Sequence, residues 1–242
     1  MGPLNTHVRF HPTPRITANE LARYMVAGDV GRKGIIKRSR EMNTAVAVRY
    51  SEARASLRAG LCDPVNEKRI IHAARDTFEQ KADDTALSSW SRDDALKSID
   101  VIDSYLGMRN QFVGFDYKEA PSSQPYLTIA GVAISVNCDV LIHRDIRGAQ
   151  CIGASLFRLT KPEEDETAAA KAKRQDMGAY AATLVFMHLS QNLAQGRTPH
   201  PEICWSIDVQ SGEIHKAPRN FKSRANNMET ACEFIAAMWD KV

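Results

Sequence analysis

The 242-residue chain contains no uninterrupted apolar run approaching the roughly 18 residues needed to cross a bilayer. The segment from Met1 to Pro14 has neither a hydrophobic stretch nor a small-residue cleavage site. These absences lead us to expect a soluble, cytoplasmic protein with no membrane partner. The five cysteines (Cys62, Cys138, Cys151, Cys204 and Cys232) lie far apart, with no C-x-x-C pair and no paired Cys/His spacing. That spacing argues against a zinc finger and against a disulfide framework, and free, mostly buried thiols are expected. Neither sign of charge dominates, since the net charge is only +3. With 43% hydrophobic residues, the chain is long enough for one substantial core, with or without a helical appendage.

The charge is unevenly placed. Residues 1–75 carry 14 Lys/Arg against 6 Asp/Glu, while the remainder carries 18 against 23. The front of the chain is therefore basic and the back acidic. The densest patch, Arg32, Lys33, Lys37, Arg38 and Arg40, packs five cations into nine residues. Such a cluster attracts phosphate backbones through counterion release, whatever the base sequence. A solvated helix face or loop has the same composition.

Periodicity separates two regions. From Ile16 to about Met108 the apolar spacing is helical. Thr17-Ala-Asn-Glu20 forms a capping box before Leu21, Tyr24 and Met25, and Gly28 ends that helix. Further helices are expected over 50–59, over 65–80 with Ile70, Ile71, Ala74 and Phe78 on one face, and over 92–105 with Ser91 as N-cap. Behind them the pattern turns to strands over 111–117, from Tyr126 on through 132–142, over 150–159 and over 203–209. A long helix is expected after Pro162 to about Ala194, a short return strand at 213–217, and a closing helix at 227–239.

Three segments carry a resemblance. They are Gly131-Val-Ala-Ile-Ser-Val-Asn-Cys-Asp139-Val-Leu-Ile, Ile152-Gly-Ala-Ser-Leu-Phe-Arg-Leu-Thr-Lys161 and Gln175-Asp-Met-Gly-Ala-Tyr180. Over residues 111–242 the chain resembles the PD-(D/E)XK nuclease superfamily, in particular its RecB-like branch. The resemblance implies an α/β fold with a central mixed sheet flanked by helices, a restriction-endonuclease-like core. It divides the chain into a basic helical region, residues 1–110, and a nuclease-like core, residues 111–242.

In that family one acid ends the first long strand, and a second acid followed two residues later by a lysine occupies the next. Together they hold a divalent metal against a phosphodiester, and a helical glutamate can add a ligand. Asp139 matches the first acid and would be the metal ligand, Lys161 matches the lysine, and Glu52 is the best helical candidate. The second acid has no match: Cys151 to Lys161 contains no carboxylate, and Leu159 stands two residues before Lys161. Glu163, Glu164, Asp165 or Glu166 would have to serve as a relocated ligand, or else these acids simply favour the positive end of the next helix. The family's Gln-x-x-x-Tyr contact to nucleic acid falls on Gln175 and Tyr180, five apart instead of four, a spacing that turns Tyr180 toward the core. Asp139 also has an ordinary alternative, a structural pairing with Arg144 or Arg158. His143 and His188 lack metal-ligand spacing.

Three functions follow as expectations. The first is a catalytically degenerate nucleic-acid-binding protein, with DNA a more natural partner than RNA, using Arg32, Lys33, Lys37, Arg38, Arg40 and Gln175. Relatives place such proteins in DNA repair, phage defence or mobile elements. The second is an active nuclease that would need Mg or Mn, with Asp139, Lys161 and Glu52 in the catalytic roles. The third is a non-catalytic scaffold subunit of a protein complex. No cofactor is otherwise implied, and the closely spaced cysteines of an iron–sulfur cluster are absent.

Overall fold

A computed structural model describes residues 9–42, 48–162 and 165–242. The chain enters through β1 (Arg15–Thr17) and turns directly into α1 (Ala18–Val26), where the Thr17 hydroxyl accepts the Glu20 amide and Leu21, Ala22 and Tyr24 are buried. The basic segment forms α2 (Asp29–Arg40), which buries only Ile35 and Ile36 and turns its cations outward. Three more helices follow, α3 (Ser51–Cys62), α4 (Glu67–Asp83) and α5 (Ser89–Met108). The cap of α5 is Ser88 rather than Ser91: its hydroxyl accepts the Ser91 amide at 3.1 Å, so the helix begins one turn earlier than the spacing suggested.

Of the strand expected at 111–117, only Asp116 and Tyr117 are extended, in the short β2 (Asp116–Glu119); before them come a 3-10 turn, Arg109–Phe112, and a further turn through Gly114. The physical cause is aromatic packing. Phe112 stacks on Tyr105 at 5.5 Å between ring centroids, and the Tyr117 hydroxyl donates to the Phe112 carbonyl at 3.1 Å.

The run that alternates from Tyr126 to Ile142 is not one strand. It comprises β3 (Leu127–Ile129) and β4 (Val132–Ser135), joined at Ala130 and Gly131, both in the left-handed region, and then β5 (Val140–Ile146) in a different sheet. Between β4 and β5 the Gln124 side chain takes the role of a neighbouring strand. Its carbonyl accepts the Cys138 amide and its NH2 donates to the Cys138 carbonyl, each at 2.9 Å. Alternation persists across this break because Val136 and Cys138 still face the interior. Asp139 therefore opens a strand instead of ending one.

A hairpin leads from β5 into β6 (Ala149–Arg158). Then come α6 (Ala168–His188), a π turn at Leu189–Leu193, β7 (Thr198–Asp208), β8 (Glu213–Lys216) and α7 (Lys222–Met238). The main sheet has the order β2-β5-β6-β7-β8, with β6 and β7 parallel across the α6 crossover and every other pair antiparallel. A second sheet, β1-β4-β3, has β1 parallel to β4. The architecture is α/β, with mixed sheets flanked by helices.

The two faces of the main sheet are covered by different helices. Leu141, Ile152, Ala154, Leu156 and Cys204 share one core with residues of α1, α2, α6 and α7. Val140, Ile142, Phe157, Trp205 and Ile207 share the other with α3, α4 and α5. This double coverage explains why β6 is buried without alternation from Cys151 to Phe157 and is mostly apolar there. Both cores take residues from either side of position 110. At Gly153 the β6–β7 register shifts, and a Cβ there would meet the Ile203 carbonyl, so the two central backbones approach closely only because the residue is glycine. Among the described residues no helix is long and apolar enough to cross a membrane.

Candidate functional site

Asp139 leads into the β5–β6 hairpin and is 3% exposed. Its backbone amide donates to the Ser155 carbonyl at 2.7 Å, and its Oδ2 accepts the Phe157 amide at 2.7 Å. The carboxylate thus stands in for a backbone carbonyl in the ladder with β6. Across from it lies Arg54 of α3, whose Nη1 donates to Oδ1 at 2.8 Å and to Oδ2 at 2.7 Å, while Nη2 donates to the Phe157 carbonyl at 3.0 Å. One guanidinium thereby fastens a helix to both strands of the hairpin. Burial pushes the Asp139 carboxyl up from its ordinary value. The Arg54 charge, the Phe157 amide and, more weakly, Arg58 oppose that shift.

The partner of Asp139 is therefore Arg54, not Arg144 or Arg158. Arg144 lies over the Phe115 ring at 4.7 Å, and Arg158 is buried against Asp208 at 3.4 Å. Asp208 also accepts from Arg174 at 2.9 Å, and Arg174 in turn pairs with Glu166 at 2.8 Å. Of the proposed relocated ligands, Glu163 and Glu164 lie outside the described residues, and Glu166 is taken by Arg174. The part of β6 that faces Asp139 runs Ser155-Leu156-Phe157-Arg158 and carries no carboxylate.

Lys161 lies beyond the end of β6, and its ammonium faces Asp100 of α5 at 3.7 Å. Glu52 is exposed and pairs with Lys81 of α4. The structure thus does not bring Lys161 or Glu52 to Asp139. Among the described residues no group of three His, Cys, Asp or Glu side chains converges as a metal site. The donor set around Asp139 does not fit Mg or Mn, which take several oxygen ligands, because the carboxylate is committed to a guanidinium and an amide.

The groups that do gather at Asp139 line a cleft of about 360 Å³. They include Arg54 and Arg58 one turn apart on α3, Ser122, Asn137 and the amino end of α1 at Ala18 and Asn19. Arg58 forms no ion pair among the described residues, and the amino end of α1 borders the same space, with the Glu20 amide capped by the Thr17 hydroxyl. A second cleft of about 510 Å³ shares Thr17 and Ser135 with the first and adds His11, Arg15, Glu20, Arg38 and Glu41. The two recesses lie on either side of the Thr17–Ser135 pair of β1 and β4, with Asp139 on the wall of the first and Arg38 of the basic helix on that of the second.

That helix keeps less free charge than its composition suggests. Arg38 pairs with Glu20 at 3.2 Å, and Arg40 donates to the Val242 carbonyl at 2.7 Å. Arg32 donates to the Tyr24 carbonyl at 3.3 Å and lies over the Tyr24 ring at 5.3 Å. Lys33 and Lys37 are exposed. Gln175 is also exposed and donates to Glu213 at 3.3 Å, whereas Tyr180 is core, with its ring under Arg224 at 4.7 Å.

His188 supports the cleft from beneath. Its Nδ1 accepts from Asn192 at 3.0 Å and its Nε2 donates to Gln124 at 3.2 Å, so the pattern is that of a neutral imidazole. Gln124 then clamps Cys138, the residue before Asp139. Burial lowers the His188 pKa from 6.5 to about 4. The unfolded chain takes up this proton below pH 6.5 and the folded one only near pH 4. Stability should fall as pH drops through that window, by up to about 3 kcal/mol, and this contribution should level off below it. Urea unfolding at stepped pH checks the point: a His188→Gln variant should lose this part of the slope, and an unchanged slope would show that His188 does not supply it.

Sequence reasoning missed Arg54, Arg58 and Gln124. The detectable signal was Arg54 and Arg58 spaced i, i+4 on α3, two cations on one face of an otherwise apolar-striped helix. In comparison with known proteins, the chain matches no family model and no curated sequence.

Proposed function

We propose that the protein binds nucleic acid without cutting it, on a restriction-endonuclease-like core in which an ion pair has replaced the metal site. The observation that carries this reading is the hold of the Arg54 Nη1 on both carboxylate oxygens of Asp139, at 2.7 and 2.8 Å, inside a cleft that also presents Arg58. Phosphodiester hydrolysis in that family relies on metal ions to polarise the phosphate and generate hydroxide. A guanidinium can bind a phosphate oxygen through its remaining N–H groups but supplies no bound water of lowered pKa. The order of β5, β6, α6 and parallel β7 supports the nuclease-like assignment of the core. Arg58 on the first recess and Arg15 and Arg38 on the second supply cations for a phosphate backbone, and Lys33 and Lys37 stand exposed on the same helix as Arg38.

The test is fluorescence anisotropy with labelled single-stranded and duplex DNA and RNA in EDTA, followed by gel analysis after adding Mg or Mn. Binding in EDTA with the strands left intact in both metals is the expected result. Cleavage by the unmodified protein, abolished in Asp139→Ala, would instead establish a nuclease. Failure to bind any strand would leave the scaffold role as the better account.

A further inference from the structure

Resting on that nucleic-acid reading, we infer that the two adjoining recesses form a groove for the phosphorylated end of a single strand, with the terminal phosphate seated between Arg54 and Arg58. The recesses meet at Thr17 and Ser135, which line both. Asp139, its partner Arg54 and Leu156 line the first recess, and we take them as the wall against which a strand entering from the second recess ends. The charge at the closed end suits a phosphomonoester. Asp139 offsets Arg54, Arg58 adds a cation that no carboxylate takes up among the described residues, and Ser122 and Asn137 add neutral donors.

The second recess suits the nucleotides that follow. Arg15 and Arg38 lie on its wall, and of its two acids Glu20 is already engaged by Arg23 and Arg38, leaving Glu41. Arg15 also donates to the Tyr126 hydroxyl at 3.0 Å and lies over its ring at 5.5 Å. Tyr126 is 47% exposed, which leaves an aromatic face beside the phosphate-binding cations for a base to stack on. Spaces of about 360 and 510 Å³ are of the size that holds a nucleotide.

The experiment uses the full chain and one short internally labelled oligonucleotide in three forms: 5′-phosphorylated, 3′-phosphorylated and with hydroxyls at both ends. One phosphorylated form should bind about tenfold more tightly than the hydroxyl-ended strand, the gain of one charge-assisted contact. Arg58→Gln should abolish that preference while leaving the melting temperature unchanged, and Arg15→Gln should weaken all three forms alike. Equal affinity for the three forms would overturn the end preference while leaving nucleic-acid binding intact. Absence of binding by every form would overturn both. Competition by a nucleoside monophosphate as effective as that by the phosphorylated strand would assign the phosphate site to free nucleotides and overturn the strand groove.

Discussion

Replacing Arg54 by methionine is expected to destabilise the fold by about 3–5 kcal/mol, because it strands a buried carboxylate. Asp139 is 3% exposed, and its remaining side-chain partner would be the Phe157 amide. The reverse truncation should cost less. In Asp139→Asn the amide oxygen can still accept from Phe157, and the Arg54 side chain, 33% exposed, can reach solvent, so a loss of about 1–2 kcal/mol follows. The double variant should lose less than the sum of the two losses, by a coupling of about 2 kcal/mol, since removing both partners leaves no orphaned charge. Acid should narrow the deficit of Arg54→Met. Without the guanidinium, the buried carboxyl binds its proton more tightly in the folded than in the unfolded chain, so lowering the pH favours folding of the variant relative to the parent. Urea midpoints at neutral and mildly acidic pH measure all three effects. Additive losses with no pH trend would show that the contact contributes little.

The second large effect is on affinity. If Arg15, Arg38, Arg58 and one lysine of α2 contact phosphates, about four counterions are released on binding a single strand. A slope near −0.7 per contact then predicts about a fiftyfold loss of affinity between roughly 50 and 200 mM salt. Arg58→Gln should flatten the slope by about 0.7 and Lys33→Gln or Lys37→Gln by no more than that. Arg40→Gln should leave the slope unchanged, because its guanidinium is held by the Val242 carbonyl and Asp240. A salt-independent affinity would mean that the cations of the groove do not touch phosphate.

Much of the architecture is legible in the residues because local periodicity sets it. The Thr17–Glu20 box, the apolar face around Ile71 and Phe78, and the mainly apolar stretch of β6 each carry their own structural instruction. The division between β4 and β5 is not local in this sense. Val136 and Cys138 keep alternating while the Gln124 side chain, fourteen positions before Cys138, ends the strand pairing. The identity of the site depends on longer separations still. Asp139 is a recognisable buried acid beside a strand, but its counterion comes from 85 positions earlier, and the i, i+4 spacing marks Arg54 and Arg58 as a pair of cations without assigning either to Asp139. Lys161 and Glu52 match a motif in sequence yet find Asp100 and Lys81 instead, because β6 ends at Arg158 and the exposed face of α3 looks onto α4.

The most direct measurement of the central claim is the affinity of the unmodified protein for a phosphorylated single strand in EDTA and in Mn, with strand integrity followed in the same samples. The ion pair between Arg54 and Asp139 predicts the same affinity in both and an intact strand throughout. Binding that appears only with the metal, or a strand shortened in its presence, would contradict it.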